Sequence, residues 1–306
     1  MGAFGNSSVQ DVASEMPMHY SEMSSENGIH DRSIGDILSE IRHLTADQVE
    51  SVLAYQREKG VRFGEAAVAL RFATADDVMH ALSQQFHYPY APEEQGKLSP
   101  ELVALNQPFS HQAEAFRGIR SQLMMRVYGD GMPKRALAII SPSVGDGKTF
   151  FSANLAITLA QLGTRTLLVD GDMRKPRQQD VFNIDNSAGL SGILSGRAES
   201  RVIQQVAGIP SLFVLPVGGT PPNPLELVER PAFGLLLREL IGKFDYVIVD
   251  TPAGVHGADA SAIAVRCGAA LVVARKNKSR MNDLQDLIDS LAGGKPVIAG
   301  VIVNEF

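Results

Sequence analysis

The chain has 306 residues, of which 44% are apolar and 20% are charged, and its formal net charge is −6 at pH 7. A chain of this length can bury a sizeable core, and its acidic balance predicts no nucleic-acid partner. Its one cysteine, Cys267, permits no intramolecular disulfide, which is typical of a reducing compartment. The N-terminus lacks the basic region and following apolar core of an export signal. No apolar run approaches the roughly 18 residues of a membrane span. We therefore expect a cytoplasmic protein that reaches a membrane only through a partner.

The N-terminal third contains two kinds of sequence. Residues 1–28 are rich in Ser, Met, Gly and Glu without an apolar period, which predicts disorder. Residues 29–90 contain a repeat with a 29-residue period. Adding 29 to the position returns the same residue type at Gly35, Arg42, Thr45, Ala46, Asp47, Val49, Leu53 and Gln56. Each repeat predicts a short helix, a threonine N-cap and a longer helix, so we predict a small all-helical tandem-repeat domain.

This repeat resembles the helical domain at the N-terminus of type II secretion and pilus-extension ATPases, some of which bind cyclic di-GMP. The start of that family's ligand motif fits at 62–64, but at 32–35 the arginine stands one residue early. Arg42 and Arg71 replace a glycine of the family motif. The resemblance leaves cyclic di-GMP as one candidate ligand, beside a protein-docking role or a packing role. The prolines of the following segment predict a linker over 91–110.

Strands and helices alternate in the remainder, which we predict to be one domain over 111–306. This order predicts an α/β fold with a doubly wound, mostly parallel sheet and helices on both faces. The predicted strands are 136–141, 166–170, 212–216, 246–250, 269–274 and 297–303, and a helix is predicted at 149–162.

The first of these strands runs into a glycine-containing loop, residues 141–149, that ends in Gly-Lys-Thr and opens a helix. Such a loop predicts a P-loop NTPase fold that binds ATP or ADP with Mg²⁺, because its N–H groups and the helix N-terminus attract phosphate. Pro142 replaces the usual first glycine, which leaves an ordinary strand-to-helix turn as the alternative. Lys148 is expected at the β- and γ-phosphates, and Thr149 at Mg²⁺. The predicted nucleotide-binding residues are Val144, Gly145, Asp146, Gly147, Lys148, Thr149 and Phe150.

Three acids follow two other apolar strands. Asp170 and Asp172 are spaced by one residue, so both carboxylates project on one side of an extended chain, and Asp250 ends a later strand. The carboxyl ends of parallel strands converge on one crevice, where the acids would surround a Mg²⁺-nucleotide. We predict that Asp170 accepts a proton from the attacking hydroxyl or orients a water, while Asp172 and Asp250 hold the metal with Thr149. The alternative is that each acid caps the helix that follows it.

The segments 141–149, 170–174 and 250–252 together resemble motifs of the bacterial tyrosine kinases of exopolysaccharide and capsule synthesis, which are related to division-site and chromosome-partitioning ATPases. Residues 114–120 are similar to the family's Glu-x-x-Arg-x-x-Arg helix, and 218–227 to its Pro-Pro-Asn-Pro loop. The motifs occur in the family's order.

This resemblance spans residues 111–306 and implies an ATP- and Mg²⁺-dependent tyrosine kinase. It implies work with a membrane-integral polysaccharide chain-length determinant protein, and a homo-oligomer formed through Glu114, Arg117 and Arg120. These three residues lie on one helix face, and the alternative is that they pair within the chain. It also places Asn304 at the adenine, for which the alternative is a turn that ends the last strand.

Two departures leave other functions open. Partitioning ATPases have a lysine at the position of Ser143, so this residue favours the kinase branch. The kinases usually end in a tyrosine-rich tail, whereas the last tyrosine here is Tyr246, inside a predicted strand. We therefore expect no autophosphorylation of a tail in this chain. A nucleotide-switch ATPase that controls assembly, or a non-catalytic adaptor stabilised by nucleotide, remains an alternative.

Overall fold

The computed structural model describes residues 33–85, 98–197 and 202–305. The chain divides into two compact units between His87 and Tyr88. The disorder predicted for 1–28 falls outside the described residues. In the described ranges, no helix combines the length and the apolar character that crossing a bilayer requires.

The described part of the N-terminal unit, residues 33–85, contains four helices in the order that the repeat predicts. They are α1 (Ile34–Arg42), α2 (Ala46–Lys59), α3 (Phe63–Ala69) and α4 (Ala75–Gln85). Each longer helix begins at a repeat threonine, since the hydroxyls of Thr45 and Thr74 accept from the N–H groups of Gln48 and Asp77. Helix α1 packs on α4, and α2 packs on α3. The two repeats therefore share one core, because neither could bury its apolar stripe alone.

Packing accounts for the glycine of the second repeat's ligand-like motif. A Cβ atom on Gly64 would lie 2.6 Å from Cγ1 of Val78, so α3 and α4 approach each other closely only with glycine at this position. Cyclic di-GMP binding by this unit stays a prediction.

The second unit is an α/β domain. Its helices are α5 (Val103–Asn106), α6 (His111–Arg126), α7 (Lys148–Ala160), α8 (Gln178–Phe182), α9 (Leu190–Leu194), α10 (Pro224–Glu229), α11 (Pro231–Lys243), α12 (Asp259–Cys267) and α13 (Met281–Asp289). Its strands are β1 (Ala136–Ile140), β2 (Thr166–Asp170), β3 (Gln204–Gln205), β4 (Leu212–Leu215), β5 (Tyr246–Asp250), β6 (Gly268–Arg275) and β7 (Val297–Asn304).

The seven strands form one sheet in the order β3-β4-β2-β5-β1-β6-β7. All neighbours are parallel except the short β3, which pairs antiparallel with β4 and which the sequence analysis missed. Alternate residues of β1 enter two separate cores: Leu137 and Ile139 pack with α6 and α7, whereas Ala138 and Ile140 pack with α11 and α12. The predicted doubly wound fold is confirmed, and each predicted strand agrees with the structure to within one residue.

The predicted linker over 91–110 is wrong for residues 98–110. Leu102 and Leu105 are buried in the core that α7 also lines. The side chain of Asn154 on α7 accepts from the N–H of Ala104 at 2.8 Å and donates to the carbonyl of Glu101 at 2.9 Å. The prolines of this segment suggested a linker, but the leucines between them find a hydrophobic face that only the folded domain provides.

Candidate nucleotide-binding site

The predicted site residues come together at one edge of the sheet. The strands β2, β5 and β1 lie side by side and run parallel, so their carboxyl ends meet at the same edge. Asp170 and Asp250 end neighbouring strands and are direct register partners. The loop 141–149, which we call the P-loop, leaves β1 at this edge and leads into α7.

The backbone of the P-loop has the geometry of an anion cradle. Gly145 and Gly147 have φ values of +79° and +100°, a left-handed conformation that favours glycine. Gly147 is also the N-cap of α7, whose 13 residues direct the positive end of the helix dipole toward the loop. Alternation of left- and right-handed residues turns successive N–H groups toward one point, so this loop suits a phosphate group.

Lys148 lies within this cradle. Its side chain is buried, and its Nζ donates to the hydroxyl of Ser141 at the start of the P-loop at 3.0 Å. Burial lowers the pKa of the Lys148 ammonium, while the nearby carboxylates of Asp250, Asp172 and Asp146 oppose that effect. When a phosphate group binds, the Lys148 ammonium can exchange its hydrogen bond to a neutral hydroxyl for stronger, charge-assisted hydrogen bonds to phosphate oxygens. Lys148 can therefore bind a terminal phosphate.

Asp250 has one carboxylate oxygen that is satisfied and one that is not. Its Oδ2 accepts from Nε2 of Gln178 at 2.9 Å, whereas its buried Oδ1 has no hydrogen-bond partner among the residues that the structure describes. Burial raises the pKa of Asp250 to about 6, although the ammonium of Lys148 counteracts it. An orphaned buried oxygen of this kind fits a role in holding a cation or its water.

Gln178 was missed by the sequence analysis. It is fully buried at the start of α8, and its Nε2 also reaches the hydroxyl of Ser152 at 3.0 Å. No motif or spacing marks this residue in the sequence, since the chain's fold brings α8 against the end of β5.

The two acids that follow β2 have different environments. Asp170 is fully buried and accepts three backbone hydrogen bonds, from Asp172 at 3.1 Å, Arg177 at 3.2 Å and Gln178 at 3.1 Å. Burial, and then the charge of Asp250, raise the pKa of Asp170 well above its usual range. Asp172, by contrast, lines the cavity in front of the P-loop. Both carboxylates were predicted to reach the site, but of the two only Asp172, which is half-buried, lines the cavity.

Two adjoining cavities lie beside the P-loop. The first, of about 220 Å³, is lined by Val144, Gly145, Gly147, Lys148, Thr149, Phe150, Asp172, Lys175, Arg177, Ala253 and His256. The second, of about 300 Å³, is mostly apolar and is lined by Phe116, Ile119, Phe150, Ile302 and Asn304 among others. Phe150 lines both cavities, so a ligand with phosphates in the first can place a flat ring against aromatic and aliphatic side chains in the second.

The metal would be held with help from the nucleotide. Among the described residues, no three His, Cys, Asp or Glu side chains form a preformed metal cluster. Mg²⁺ usually binds one or two carboxylates together with phosphates and water, so Asp172, Asp250 and the Thr149 hydroxyl are a sufficient set of protein ligands. The residues present thus fit the predicted Mg²⁺-nucleotide.

The predicted oligomer residues on α6 have partners within the chain. Arg117 pairs with Glu114 and donates to the carbonyl of Pro108 at 2.7 Å, and Arg120 donates to the carbonyl of Thr158 at 2.6 Å. Both arginines thus fasten α6 to its own domain, while the side chain of Glu114 remains 69% exposed. Contact with a second subunit through these three residues stays a prediction.

The raised pKa values of the two buried acids predict how stability depends on pH. A carboxyl group whose folded-state pKa exceeds its unfolded value stabilises the fold at low pH and loses that contribution as pH rises through the folded pKa. Because Asp250 titrates near pH 6, the nucleotide-free wild type should lose stability relative to Asp250→Asn between pH 4 and 7. The loss approaches about 1.4 kcal/mol per pH unit for one proton. Urea unfolding of both proteins at pH 5, 6, 7 and 8 measures it.

The matched control is Asp283→Asn, which replaces an exposed carboxyl group on α13. Its stability should follow that of the wild type across the same range. Parallel curves for wild type and Asp250→Asn would show that Asp250 is not protonated near neutral pH.

Comparison with known proteins finds a nucleotide-binding family model and relatives that are named as tyrosine-protein kinases. The family model for the CobQ/CobB/MinD/ParA nucleotide binding domain matches residues 137–306. The putative tyrosine-protein kinase CapB of Staphylococcus aureus is 35% identical over 211 residues, which are 68% of this chain and 90% of that protein. The tyrosine-protein kinase wzc of Salmonella typhimurium is 32% identical over 204 residues, which are 67% of this chain and 28% of that protein. The chain therefore spans nearly all of the first relative and little more than a quarter of the second.

Solved structures agree with this. The kinase domain of the Escherichia coli tyrosine kinase ETK has a TM-score of 0.64 and 31% identity, over 68% of this chain and 80% of that chain. The chimerical protein CapA2B2 has a TM-score of 0.63 and 32% identity, over 74% of this chain and 98% of that chain. The septum site-determining protein MinD of Pyrococcus horikoshii, solved with Mg-ADP, has a TM-score of 0.50 and 26% identity, over 56% of this chain and 70% of that chain.

Proposed function

This chain belongs to the bacterial tyrosine-protein kinases of the CobQ/CobB/MinD/ParA nucleotide-binding family, and from that membership we propose that it transfers the γ-phosphoryl group of ATP to tyrosines of another protein. The observation that carries the proposal is that Lys148 and Asp172 line one cavity in front of the P-loop, while the buried carboxyl group of Asp250 lies close enough to act on the charge of Lys148. Phosphoryl transfer depends on charge neutralisation and positioning, which this set of groups can supply.

Each residue has a role in the proposed reaction. The P-loop N–H groups and Lys148 bind the phosphates, and Asn304 together with Phe150 contacts the adenine in the apolar cavity. Thr149, Asp172 and Asp250 hold Mg²⁺, which when bound neutralises phosphate charge. Asp170 accepts the proton of the tyrosine hydroxyl, because a carboxylate with a raised pKa is a stronger base than an ordinary one.

The acceptor in this proposal is not the chain's own Tyr246. That residue lies on the central strand β5, and its hydroxyl contacts the sulfur of Met124 at 3.3 Å. Its ring packs edge-on against Tyr128 with centroids 5.0 Å apart. Tyr246 is also the first residue of β5, at the end of the strand opposite the P-loop, so its hydroxyl does not face the site of its own chain.

We further propose a setting for this activity. The kinase would act in capsule or exopolysaccharide synthesis or export, as a homo-oligomer at the inner membrane beside a membrane-integral chain-length determinant protein. The relatives named as tyrosine-protein kinases and the CapA2B2 chimera support this setting. The longer relatives contain much that this chain does not cover, so their whole activity is part of the proposal.

The test is incubation of the purified chain with γ-labelled ATP and Mg²⁺, with and without a synthetic glutamate–tyrosine copolymer as acceptor. We expect phosphotyrosine on the copolymer and little free phosphate, because attack by a tyrosine hydroxyl competes with attack by water. Phosphate release without phosphotyrosine would support the nucleotide-switch ATPase instead. Nucleotide binding with neither product would leave the adaptor.

A further inference from the structure

Three consecutive peptide carbonyls of the P-loop each accept a hydrogen bond from a side chain outside the loop. The Nζ of Lys278 donates to the carbonyl of Val144 at 3.1 Å, and Nη1 of Arg275 donates to that of Gly145 at 3.0 Å. The amide Nδ2 of Asn304 donates to the carbonyl of Asp146 at 3.0 Å. We call Arg275, Lys278 and Asn304 the carbonyl caps.

By binding the C=O of a peptide group, each cap also fixes the direction of the N–H of that peptide group. The described part of the chain has no cis peptide bond, and in a trans peptide the C=O and the following N–H point in opposite directions. Holding these three carbonyls therefore orients the N–H groups of Gly145, Asp146 and Gly147. A hydrogen bond at the carbonyl oxygen also polarises the peptide group and makes its N–H a stronger donor.

The glycines of the loop let the caps approach this closely. A Cβ atom on Gly145 would lie 3.1 Å from Nζ of Lys278 and 4.0 Å from Nη1 of Arg275. A Cβ atom on Gly147 would collide with the side-chain amide of Asn304. These glycines thus serve two purposes, because they permit the left-handed backbone and leave room for the caps.

A buried carboxylate anchors the turn that carries two of the caps. Asp146 is fully buried, accepts from the N–H of Ser143 at 2.8 Å and accepts from the hydroxyl of Ser279 at 3.1 Å. The same Ser279 hydroxyl accepts from the N–H of Arg275 at 2.8 Å. The turn after β6 is therefore attached to the P-loop by hydrogen bonds. This attachment holds Arg275 and Lys278 next to the loop carbonyls.

We propose that Arg275 and Lys278 are positioning residues that preorganise the P-loop N–H groups for a Mg²⁺-bound polyphosphate. This inference rests on the proposed binding of nucleotide at the P-loop. The two cations would lie on the side of the loop opposite the phosphates. The inference predicts that they change affinity for the phosphate part of a nucleotide and not affinity for the base.

The experiment measures binding of MgADP and of magnesium pyrophosphate to the full chain by calorimetry. Arg275→Gln and Lys278→Met should each weaken both ligands by about three- to tenfold, the range expected for one charge-assisted hydrogen bond. Lys278→Arg, which keeps a donor, should restore most of the affinity. Lys276→Met is the matched control, because it removes a cation from the same turn whose Nζ pairs with Glu305 rather than with the P-loop. Its affinity should change less than about twofold.

A second measurement separates orientation of the peptides from a general loss of positive charge. In the nucleotide-free protein, Lys278→Met should shift the amide proton resonance of Gly145, and Arg275→Gln that of Asp146, because each loses the bond on its own peptide group. An equal loss of affinity in Lys276→Met, or unshifted amide resonances in both cap variants, would overturn the inference. If the wild-type chain binds neither ligand at the P-loop, the proposed function is contradicted, and the inference, which rests on it, is contradicted as well.

Discussion

Replacing Lys148 with methionine is expected to abolish the thermal stabilisation that MgADP gives to the wild-type chain. A ligand that binds only the folded state at a hundredfold excess over its Kd stabilises by about 2.7 kcal/mol, which raises the melting temperature by several degrees. The ammonium of Lys148 is the buried cation at the phosphate cradle, so its removal leaves the phosphates facing the uncompensated charges of Asp172 and Asp250. Thermal unfolding with and without MgADP measures the effect.

The nucleotide-free variant should remain folded, since a methionine side chain suits a site in which burial already disfavours the charge. Lys243→Met is the control, because that lysine is exposed and pairs with Glu239 at the C-terminal end of α11. It should keep the full MgADP shift. Equal shifts for wild type and Lys148→Met would show that nucleotide does not bind at the P-loop.

The second large effect concerns Asp170 and Asp250. The two variants in which one of these residues is changed to asparagine should lose different functions. Asp170→Asn should retain MgADP binding and lose turnover by about 10²- to 10⁴-fold, the usual contribution of a proton acceptor. Asp250→Asn should lose turnover together with the magnesium dependence of binding, because its orphaned Oδ1 is the oxygen that a metal or its water would contact. Calorimetry with and without Mg²⁺ and the phosphotyrosine assay give the two readouts.

Asp172→Asn serves as the comparison within the same site. Asp172 lines the cavity, whereas Asp170 is closed to solvent and holds three backbone N–H groups. Full turnover in Asp170→Asn with a selective loss of turnover in Asp172→Asn would transfer the role of proton acceptor to Asp172. A loss of MgADP binding in Asp170→Asn would show that Asp170 acts only by shaping the turn that leads to Gln178.

Features of this protein that depend on neighbouring residues in the chain could be predicted from the amino-acid sequence. The P-loop is contiguous, and its glycines and lysine must stand in a fixed order for the backbone to turn around an anion. The apolar run before Asp250 specifies a buried strand, and strands that alternate with helices specify a parallel sheet, which brings Asp170 and Asp250 to one edge. In the N-terminal unit, the repeat located the threonine caps at Thr45 and Thr74.

The distant side chains that complete the site could not be predicted in this way, because folding brings them to the P-loop from other parts of the chain. Gln178 reaches Asp250 from α8, and Arg275 and Lys278 reach the P-loop from a segment more than a hundred residues later in the chain, so no local pattern marks these three residues. The difference between Asp170 and Asp172 follows from burial, which depends on how the turn after β2 packs. Residues 98–110 are part of the domain for the same reason: their leucines are apolar in any sequence reading, but the face that buries them exists only when α7 is in place.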